Sequence, residues 1–204
     1  CTSRPAATCV ASIPVAIFGN GYNSASGSAV LYVLRLDKTA GSAWGVAGGG
    51  NYYKLDTGAT GSNGLSSVSA WDGDGDGYID YIYAGDLLGN IWKFDFSGAN
   101  PSTWKPAFGT APAYSPLFTA TDDVLPVANR QPVTTPLALV NHPFSGIMVF
   151  FGTGKILASS DMTDLKTQSV YGIWDKNDGT TTISGRSSLL KQTIDTESTT
   201  GSVT

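Results

Sequence analysis

The segment YIDYIYAGDLLGNIWKFDFSG, residues 78–98, decides the fold class of this chain. Within residues 81–84, period-2 alternation places the two tyrosines on one face of a strand and the Ile and Ala side chains on the other. The run Leu88-Gly89-Asn90 predicts a tight turn, and the aromatic run from Ile91 to Phe96 predicts a second strand. Residues 78–98 therefore predict a β-hairpin.

The same pattern of a β-rich aromatic run, a glycine turn and a later aspartate occurs twice more in the chain. One copy joins IPVAIFGNGYNS to AVLYVLRLDKTAG, and another joins GIMVFFGTGKI to SVYGIWDKNDG. The turn glycines lie at nearly equal intervals, at Gly19, Gly85 and Gly152. The second strand of each copy ends at an aspartate, namely Asp37, Asp95 or Asp175. This spacing indicates an internal repeat.

Repeated antiparallel units joined by loops favour an all-β fold of radially stacked sheets, a β-propeller, with a β-sandwich as the main rival. Three copies, with a partial fourth at Ser184–Ile194, give an incomplete arc of about three to four blades whose open edges another part of the parent protein would cover. We expect residues 1–204 to form one partial propeller domain, excised from a longer protein. Residues 58–67 and 101–136 are expected to be inter-blade loops, and residues 161–167 are the best of few helix candidates.

Composition narrows the class of protein. The formal net charge is −4 and 14% of the residues are charged, so no basic surface is available for nucleic acid. No apolar run approaches the roughly 18 residues that a membrane-spanning helix needs. The hydrophobic fraction of 41% is sufficient for a folded core. Cys1 and Cys9 are close enough for a local disulfide, and two free thiols are an equally good interpretation.

The sharpest chemical motif is DGDGDGYID, residues 72–80, which places four carboxylates among glycines. Like charges at this density repel each other, so a folded loop requires a cation or strong solvation. The carboxylates are at relative positions 1, 3, 5 and 9, and Tyr78 supplies a backbone carbonyl at position 7, as in the first part of an EF-hand loop. We predict a Ca²⁺ site whose ligands are Asp72, Asp74, Asp76, Tyr78 and Asp80.

This motif departs from an EF-hand at position 12, where Tyr83 replaces the bidentate glutamate. Asp80 would then coordinate the ion directly. Hard oxygen ligands without His or Cys favour Ca²⁺ over zinc or copper, and a flexible loop suits Ca²⁺ better than Mg²⁺. The alternative interpretation is a solvated acidic turn.

Other motifs indicate structural roles rather than catalytic or metal-binding roles. The single histidine, His142, lies in a predicted turn, and no Gly-x-Ser-x-Gly elbow is present, so the sequence does not favour an enzyme. Residues 175–179 resemble a partial calcium loop, for which an Asx turn is the better interpretation. Asp122 and Asp123 are expected to be a loop pair. Strand spacing indicates a core role for a set of aromatic residues: Trp71, Trp92, Phe94, Phe150, Phe151 and Trp174.

Several blocks, in this order, resemble a known family: IFGNGYNS, DGDGDGYIDYIYAGDLLGNIWKFDFSG, RQPVTTPLAL, FFGTGKIL and QSVYGIWDK. From about Ile13 to about Ile194, the chain is similar to the C-terminal β-propeller domain of the PilY/PilC family of type IV pilus tip-associated biogenesis and adhesion proteins. The resemblance implies a modified quinoprotein-like propeller with a calcium loop in one blade. All four carboxylates of that loop match Asp72, Asp74, Asp76 and Asp80.

The resemblance also implies a biological role. It suggests a non-catalytic domain at the cell surface or pilus tip, associated with the outer membrane, that regulates pilus extension and retraction and supports attachment. The implied partners are minor pilins and a host-cell or surface ligand, although the chain contains no Arg-Gly-Asp tripeptide. Two alternatives stay open. One is a fragment of a pyrroloquinoline-quinone-dependent oxidoreductase, and the other is a glycan-binding propeller that uses exposed aromatics such as Trp44 and Trp104.

Overall fold

The structure, a computed structural model, describes residues 12–22, 24–45, 50–122 and 129–193. Thirteen β-strands form three antiparallel sheets and one small hairpin in this part of the chain. The first sheet consists of β1 (Val15–Gly19), β2 (Ser28–Arg35) and β3 (Tyr52–Thr60). The third sheet consists of β11 (Ala138–Asn141), β12 (Ile147–Gly152) and β13 (Val170–Asp175).

The second sheet lies between these two and is the widest. Its main strands are β4 (Leu65–Trp71), β5 (Tyr81–Asp86) and β6 (Asn90–Asp95). The outer edge of β6 pairs with two short strands, β7 (Lys105–Pro106) and β10 (Phe118–Thr119). The remaining strands, β8 (Phe108–Thr110) and β9 (Ala113–Ser115), form the small hairpin.

The predicted hairpin of residues 78–98 is confirmed as the β5–β6 pair. Tyr81 lies opposite Asp95, and Gly85 lies opposite Ile91. The turn occupies residues 87–89, one residue earlier than predicted, because Asn90 already belongs to β6. Gly89 has a φ of 77°, a left-handed conformation that glycine adopts without steric cost.

The two faces of β5 belong to two hydrophobic cores. Tyr83 packs with residues of β12 and β13 such as Val149 and Ile173. Ile82 and Ala84 pack with residues of the first sheet, including Leu31 and Val33. The alternation predicted for residues 81–84 therefore has a simple meaning: the second sheet is buried on both faces, between the first and third sheets. Stacked sheets of this kind are typical of propeller blades.

Three parts of the sequence-based prediction require correction. The proposed fourth copy at Ser184–Ile194 contains no strand within its described residues, 184–193, where the chain forms a 3₁₀ helix at Arg186–Ser188. The helix expected at 161–167 is a 3₁₀ helix at Ser159–Thr163. The supposed loop 58–67 contains the end of β3 and the start of β4.

The long span 101–136 is also more ordered than a plain loop. It holds a 3₁₀ helix at Pro101–Thr103 and the four short strands β7–β10. In the span 101–136 the strands were missed because two- and three-residue strands carry little hydrophobic alternation. In the span 58–67 the Gly, Ser and Thr residues at the ends of β3 and β4 hid the strand ends. Cys1 and Cys9 lie outside the described residues, so both interpretations of this pair stay open.

The predicted core role holds for most of the aromatic set. Trp92, Phe94 and Phe151 are buried, and Trp71 packs against the core from a partly exposed position. Phe150 and Trp174 are the exceptions. Phe150 points outward from β12 and is 41% exposed, and Trp174 is partly exposed and belongs to neither core. Within the described residues, no helix has the length and apolarity that crossing a membrane requires.

Candidate metal centre

The acidic loop 72–80 connects β4 to β5 in the second sheet. Two backbone hydrogen bonds close its base. The N–H of Asp80 donates to the carbonyl of Trp71 at 2.9 Å, and the N–H of Phe96 donates to the carbonyl of Asp80 at 2.8 Å. The last carboxylate of the loop is therefore held directly at the edge of the sheet.

Three of the predicted ligands converge in space. Asp72, Asp74 and Asp80 each offer a carboxylate oxygen, and these oxygens all lie within 4.8 Å of one another. A cation in their midst would have hard, anionic oxygen ligands, which is the chemistry that Ca²⁺ prefers. The fourth predicted carboxylate, Asp76, belongs to the same loop but not to this convergent group. The carbonyl of Tyr78 stays a prediction.

Hydrogen bonds to backbone N–H groups shape the loop around its carboxylates. Asp72 accepts from Gly75 and Gly77, both at 2.8 Å. Asp74 accepts from Asp76 at 3.1 Å, and Asp76 accepts from the N–H of Tyr78 at 2.9 Å. The bonds to Asp74 and Asp76 are Asx turns, in which the side chain accepts from the N–H two residues on, whereas the bonds to Asp72 reach further along the loop.

Glycine is required at two points of the loop. Gly75 has a φ of 76° and Gly77 a φ of 88°, both in the left-handed region that other residues adopt only at a cost. These two residues turn the chain back, so that glycine is a geometric requirement at both positions of the loop. The same backbone brings Asp80 to the beginning of the loop, where the N–H of Gly73 donates to its Oδ2 at 2.8 Å.

The electrostatics of the loop centre on Asp80. Partial burial raises the pKa of the Asp80 carboxyl, and the nearby charges of Asp74, Asp76 and Asp72 raise it further. The hydrogen bond from Gly73 acts in the opposite direction. The ionised carboxylates of the loop thus repel one another, and a bound cation would relieve this repulsion.

A second polar group, which the sequence patterns did not predict, lies at the interface of the second and third sheets. Lys93 of β6 is buried, and its Nζ donates to Oδ2 of Asp175 at 2.7 Å. Nζ also donates to Oδ1 of Asn177 at 2.6 Å, and the hydroxyl of Tyr83 donates to Asp175 at 2.6 Å. The signal in the sequence was a single lysine inside the otherwise apolar strand IWKFDF.

The weaker sequence candidates have structural roles. Asp178 forms the expected Asx turn, in which it accepts from the N–H groups of Thr180 and Thr181. Asp122 is buried and accepts two hydrogen bonds from Asn129, so it is not a plain loop residue, while Asp123 lies outside the described residues.

The aromatic residues considered for glycan binding do not share an environment. Trp104 stacks on Phe96 with 4.5 Å between ring centroids, and it packs against the core between the first two sheets. Trp44 is half exposed and lies beside the ammonium group of Lys38. His142 stacks on Trp174 at 4.1 Å, and its Nδ1 accepts from the N–H of Phe144.

A family model for the PilY1 beta-propeller domain matches residues 11–204. A "Type IV pilus biogenesis factor PilY1 homolog" of Xylella fastidiosa is 37% identical over 185 residues, which cover 88% of this chain and 12% of the relative. The "Type IV pilus biogenesis factor PilY1" of Pseudomonas aeruginosa PAO1 is 36% identical over 205 residues, which cover 88% of this chain and 16% of the relative.

A solved structure shows the same fold. The crystal structure of the Pseudomonas aeruginosa PilY1 C-terminal domain aligns with a TM-score of 0.65 and 34% identity, over 81% of this chain and 34% of that one. The chain thus spans a small part of its curated relatives and about a third of the solved domain. The resemblance inferred from the sequence motifs is confirmed, as is the propeller fold. The chain belongs to the PilY1 beta-propeller domain family.

Proposed function

We propose that this chain is a calcium-binding, non-catalytic domain of a type IV pilus biogenesis protein. The pilus role is supported by relatives whose names describe type IV pilus biogenesis factors. Such factors are non-enzymatic in kind, so we do not propose a quinoprotein oxidoreductase. The convergence of Asp72, Asp74 and Asp80 is the observation that supports calcium binding.

The ligand set of the proposed site follows from the loop geometry. Asp72, Asp74 and Asp80 would hold the ion, and Asp76 and the carbonyl of Tyr78 would complete an oxygen environment after a small adjustment of the loop. The bound cation supplies positive charge that offsets the repulsion among these carboxylates. No His or Cys belongs to the loop, which disfavours zinc and copper.

Calcium at this site would act on the fold through β5. Asp80 immediately precedes β5, and the two faces of β5 belong to the two hydrophobic cores. An ordered loop therefore fixes one end of the strand that the first and third sheets share. In the parent protein, we propose that calcium occupancy biases the propeller between two docking states, so that pili are held extended or allowed to retract.

The site of action we propose is the cell surface, at the fimbrium or pilus tip. The partners would be minor pilins, with a host-cell or abiotic surface ligand as a further partner in attachment. These proposals rest on the pilus association of the relatives, of which this chain represents 12% to 16% of the length in the two proteins compared above.

Calcium binding is tested by calorimetric titration of the purified chain after treatment with a chelator. We expect one Ca²⁺ per chain and a higher melting temperature in its presence, since a ligand that binds only the native state stabilises it. Asp80→Asn should abolish both effects. Asp178→Asn, which removes a carboxylate from an Asx turn elsewhere, should preserve them. Titration of the unaltered chain without heat or thermal shift would refute the site.

The regulatory role requires a separate experiment in the parent protein. We expect Asp80→Ala in the full-length protein to change surface piliation and twitching motility, with Asp178→Asn again as the matched control. Normal piliation together with lost calcium affinity would refute the regulatory role and leave the metal site intact.

A further inference from the structure

A groove lies between the first and second sheets, outside the acidic loop. It has a volume of about 520 Å³ and is bounded by the first half of β3 on one side and by residues 101–106 on the other. Both aromatic and charged side chains line it, among them Tyr52, Lys54, Trp104, Lys105 and Tyr114. This combination is suited to a ligand with both apolar and charged groups.

One wall of the groove is an open strand edge. In the second sheet, the outer edge of β6 is covered by β7 and β10, and the N–H groups of Ala107 and Leu117 donate to carbonyls of β6 at 2.8 Å. β3 is the outer strand of the first sheet, and no described strand pairs with its far edge. The groove therefore occupies the position at which the second sheet has a fourth strand.

The open part of this edge is short and well defined. At Gly58, β3 approaches Pro112 so closely that an added Cβ would lie 2.1 Å from the Pro112 carbonyl oxygen. The hairpin β8–β9 thus covers the second half of β3. The N–H of Tyr52 donates to the carbonyl of Gly45 at 3.4 Å, so the described part of the edge that borders the groove is residues 53–56, about 13 Å long when extended.

Trp104 keeps the groove open. Its indole stacks on Phe96 and meets the ring of Tyr53 edge-on at 5.4 Å, while its Nε1–H donates to the carbonyl of Gly98 at 3.0 Å. A side chain fixed in this way is a rigid spacer between β3 and β7, which prevents the two strand edges from closing on each other.

The charges of the groove indicate which peptides it favours. Lys54 and Lys105 contribute two positive charges, and Asp56, whose carboxylate lies 3.5 Å from Lys54, contributes one negative charge. The groove is thus locally positive in a chain of net charge −4. Acidic side chains on a bound strand would meet Lys54 and Lys105, and alternate apolar side chains would meet Trp104 and Tyr114.

We propose that this groove binds an extended peptide segment with alternating apolar and acidic side chains, which adds to β3 as a fourth strand. Backbone hydrogen bonds to the edge would supply affinity, and the aromatic and lysine side chains would supply specificity. This inference is independent of calcium binding at residues 72–80.

The test uses the 204-residue chain and the synthetic peptide acetyl-Val-Glu-Val-Glu-Val-amide, followed by nitrogen-15 NMR. We expect saturable shifts of the amide signals of residues 53–56 and of the Trp104 indole, with a dissociation constant below about 1 mM. A copy of the peptide that is N-methylated at every residue should bind at least about tenfold more weakly, because neither of its edges can donate hydrogen bonds to β3. Equal binding of the methylated peptide would overturn strand addition.

Charge-reversal variants test the specificity. Lys54→Glu and Lys105→Glu are both at exposed positions. Each should weaken binding of the Val-Glu peptide about fivefold or more and strengthen binding of its Val-Lys counterpart. Lys166→Glu, at an exposed lysine far from the groove, should change neither. The proposal fails if the Val-Glu peptide causes no shift at millimolar concentration, or if the shifts map elsewhere. It also fails if maltotriose shifts these signals and the peptide does not, a result that would identify a sugar site.

Discussion

The ammonium group of Lys93 lies 2.7 Å from Oδ2 of Asp175, and this ion pair joins the second sheet to the third. Both side chains are 2% exposed. The hydroxyl of Tyr83 donates to the same oxygen, and the ring of Tyr81 lies 4.1 Å from Nζ of Lys93. Burial and the charge of Asp175 both raise the pKa of Tyr83, so that Tyr83 stays a protonated donor.

Loss of the lysine should destabilise the chain strongly. We expect Lys93→Met to lower the free energy of unfolding by about 3–5 kcal/mol, because Asp175 would remain buried without its countercharge. Urea denaturation measures the change. In the double variant Lys93→Met, Asp175→Asn the loss should be smaller, since no unpaired charge remains. The exposed control Lys166→Met should cost less than about 1 kcal/mol, and an equally small effect at Lys93 would contradict this account.

A second buried carboxylate, Asp86, holds the β5–β6 turn. Its Oδ1 accepts from the N–H groups of Leu88 and Asn90, and its Oδ2 accepts from Nε1 of Trp92 at 2.8 Å and from Nδ2 of Asn63 at 2.8 Å. In Asp86→Asn, an amide NH₂ would confront some of these donors. We expect this substitution to lower the free energy of unfolding, measured by chemical denaturation, by about 3 kcal/mol.

Asp95 offers a matched comparison for Asp86, because it ends the next strand and accepts hydrogen bonds only from the nearby Ser97 among the bonds described. Asp95→Asn should lower the free energy of unfolding by less than about 1 kcal/mol. If the two substitutions had the same cost, the hydrogen bonds of Asp86 would not be the cause of its effect.

Two glycines with the same backbone conformation separate steric from conformational cost. Gly89 and Gly41 both have a φ of 77°. An added Cβ at Gly89 would lie 2.6 Å from the carbonyl oxygen of Gln131, whereas at Gly41 it would meet open space. We expect Gly41→Ala to lower the free energy of unfolding by about 1 kcal/mol, and Gly89→Ala to lower it by about 3 kcal/mol or more. Thermal unfolding measures both values, and similar melting temperatures for the two variants would refute the close approach.

The 3₁₀ helix at Ser159–Thr163 should be sensitive to acid. Asp161 accepts hydrogen bonds from Lys155 and from the N–H groups of Leu157 and Ala158. These interactions lower the pKa of the Asp161 carboxyl from its ordinary value of 3.8 to about 2. Between these two pH values the unfolded chain binds more protons than the folded chain, so the stabilisation is lost as the pH falls through this window.

NMR titration of the side-chain carboxyl checks this prediction directly. We expect Asp161 to titrate near pH 2, and we expect Asp161→Asn to reduce the dependence of the unfolding free energy on pH between about 4 and 2. Titration near 3.8 would show that the contacts of Asp161 do not persist in solution.

Local sequence patterns predicted the second sheet well. Alternation at residues 81–84 and the Gly89 turn predicted the β5–β6 hairpin to within one residue, because both signals depend on neighbours along the chain. The acidic loop was equally visible, since its Asp and Gly residues are adjacent in sequence. Short strands such as β7 and β10 were missed because two residues carry no periodicity.

The sequence by itself determined that this chain is a repeated all-β protein with one dense cluster of carboxylates, because hydrophobic alternation and turn residues act over a few positions. Only the tertiary structure decided which distant groups meet. It brought Lys93 to Asp175, placed Trp104 between two sheets, and left half of β3 open beside a groove. Such contacts depend on how the sheets stack, and the burial energy that drives stacking is nearly independent of direction, so a linear pattern does not encode them.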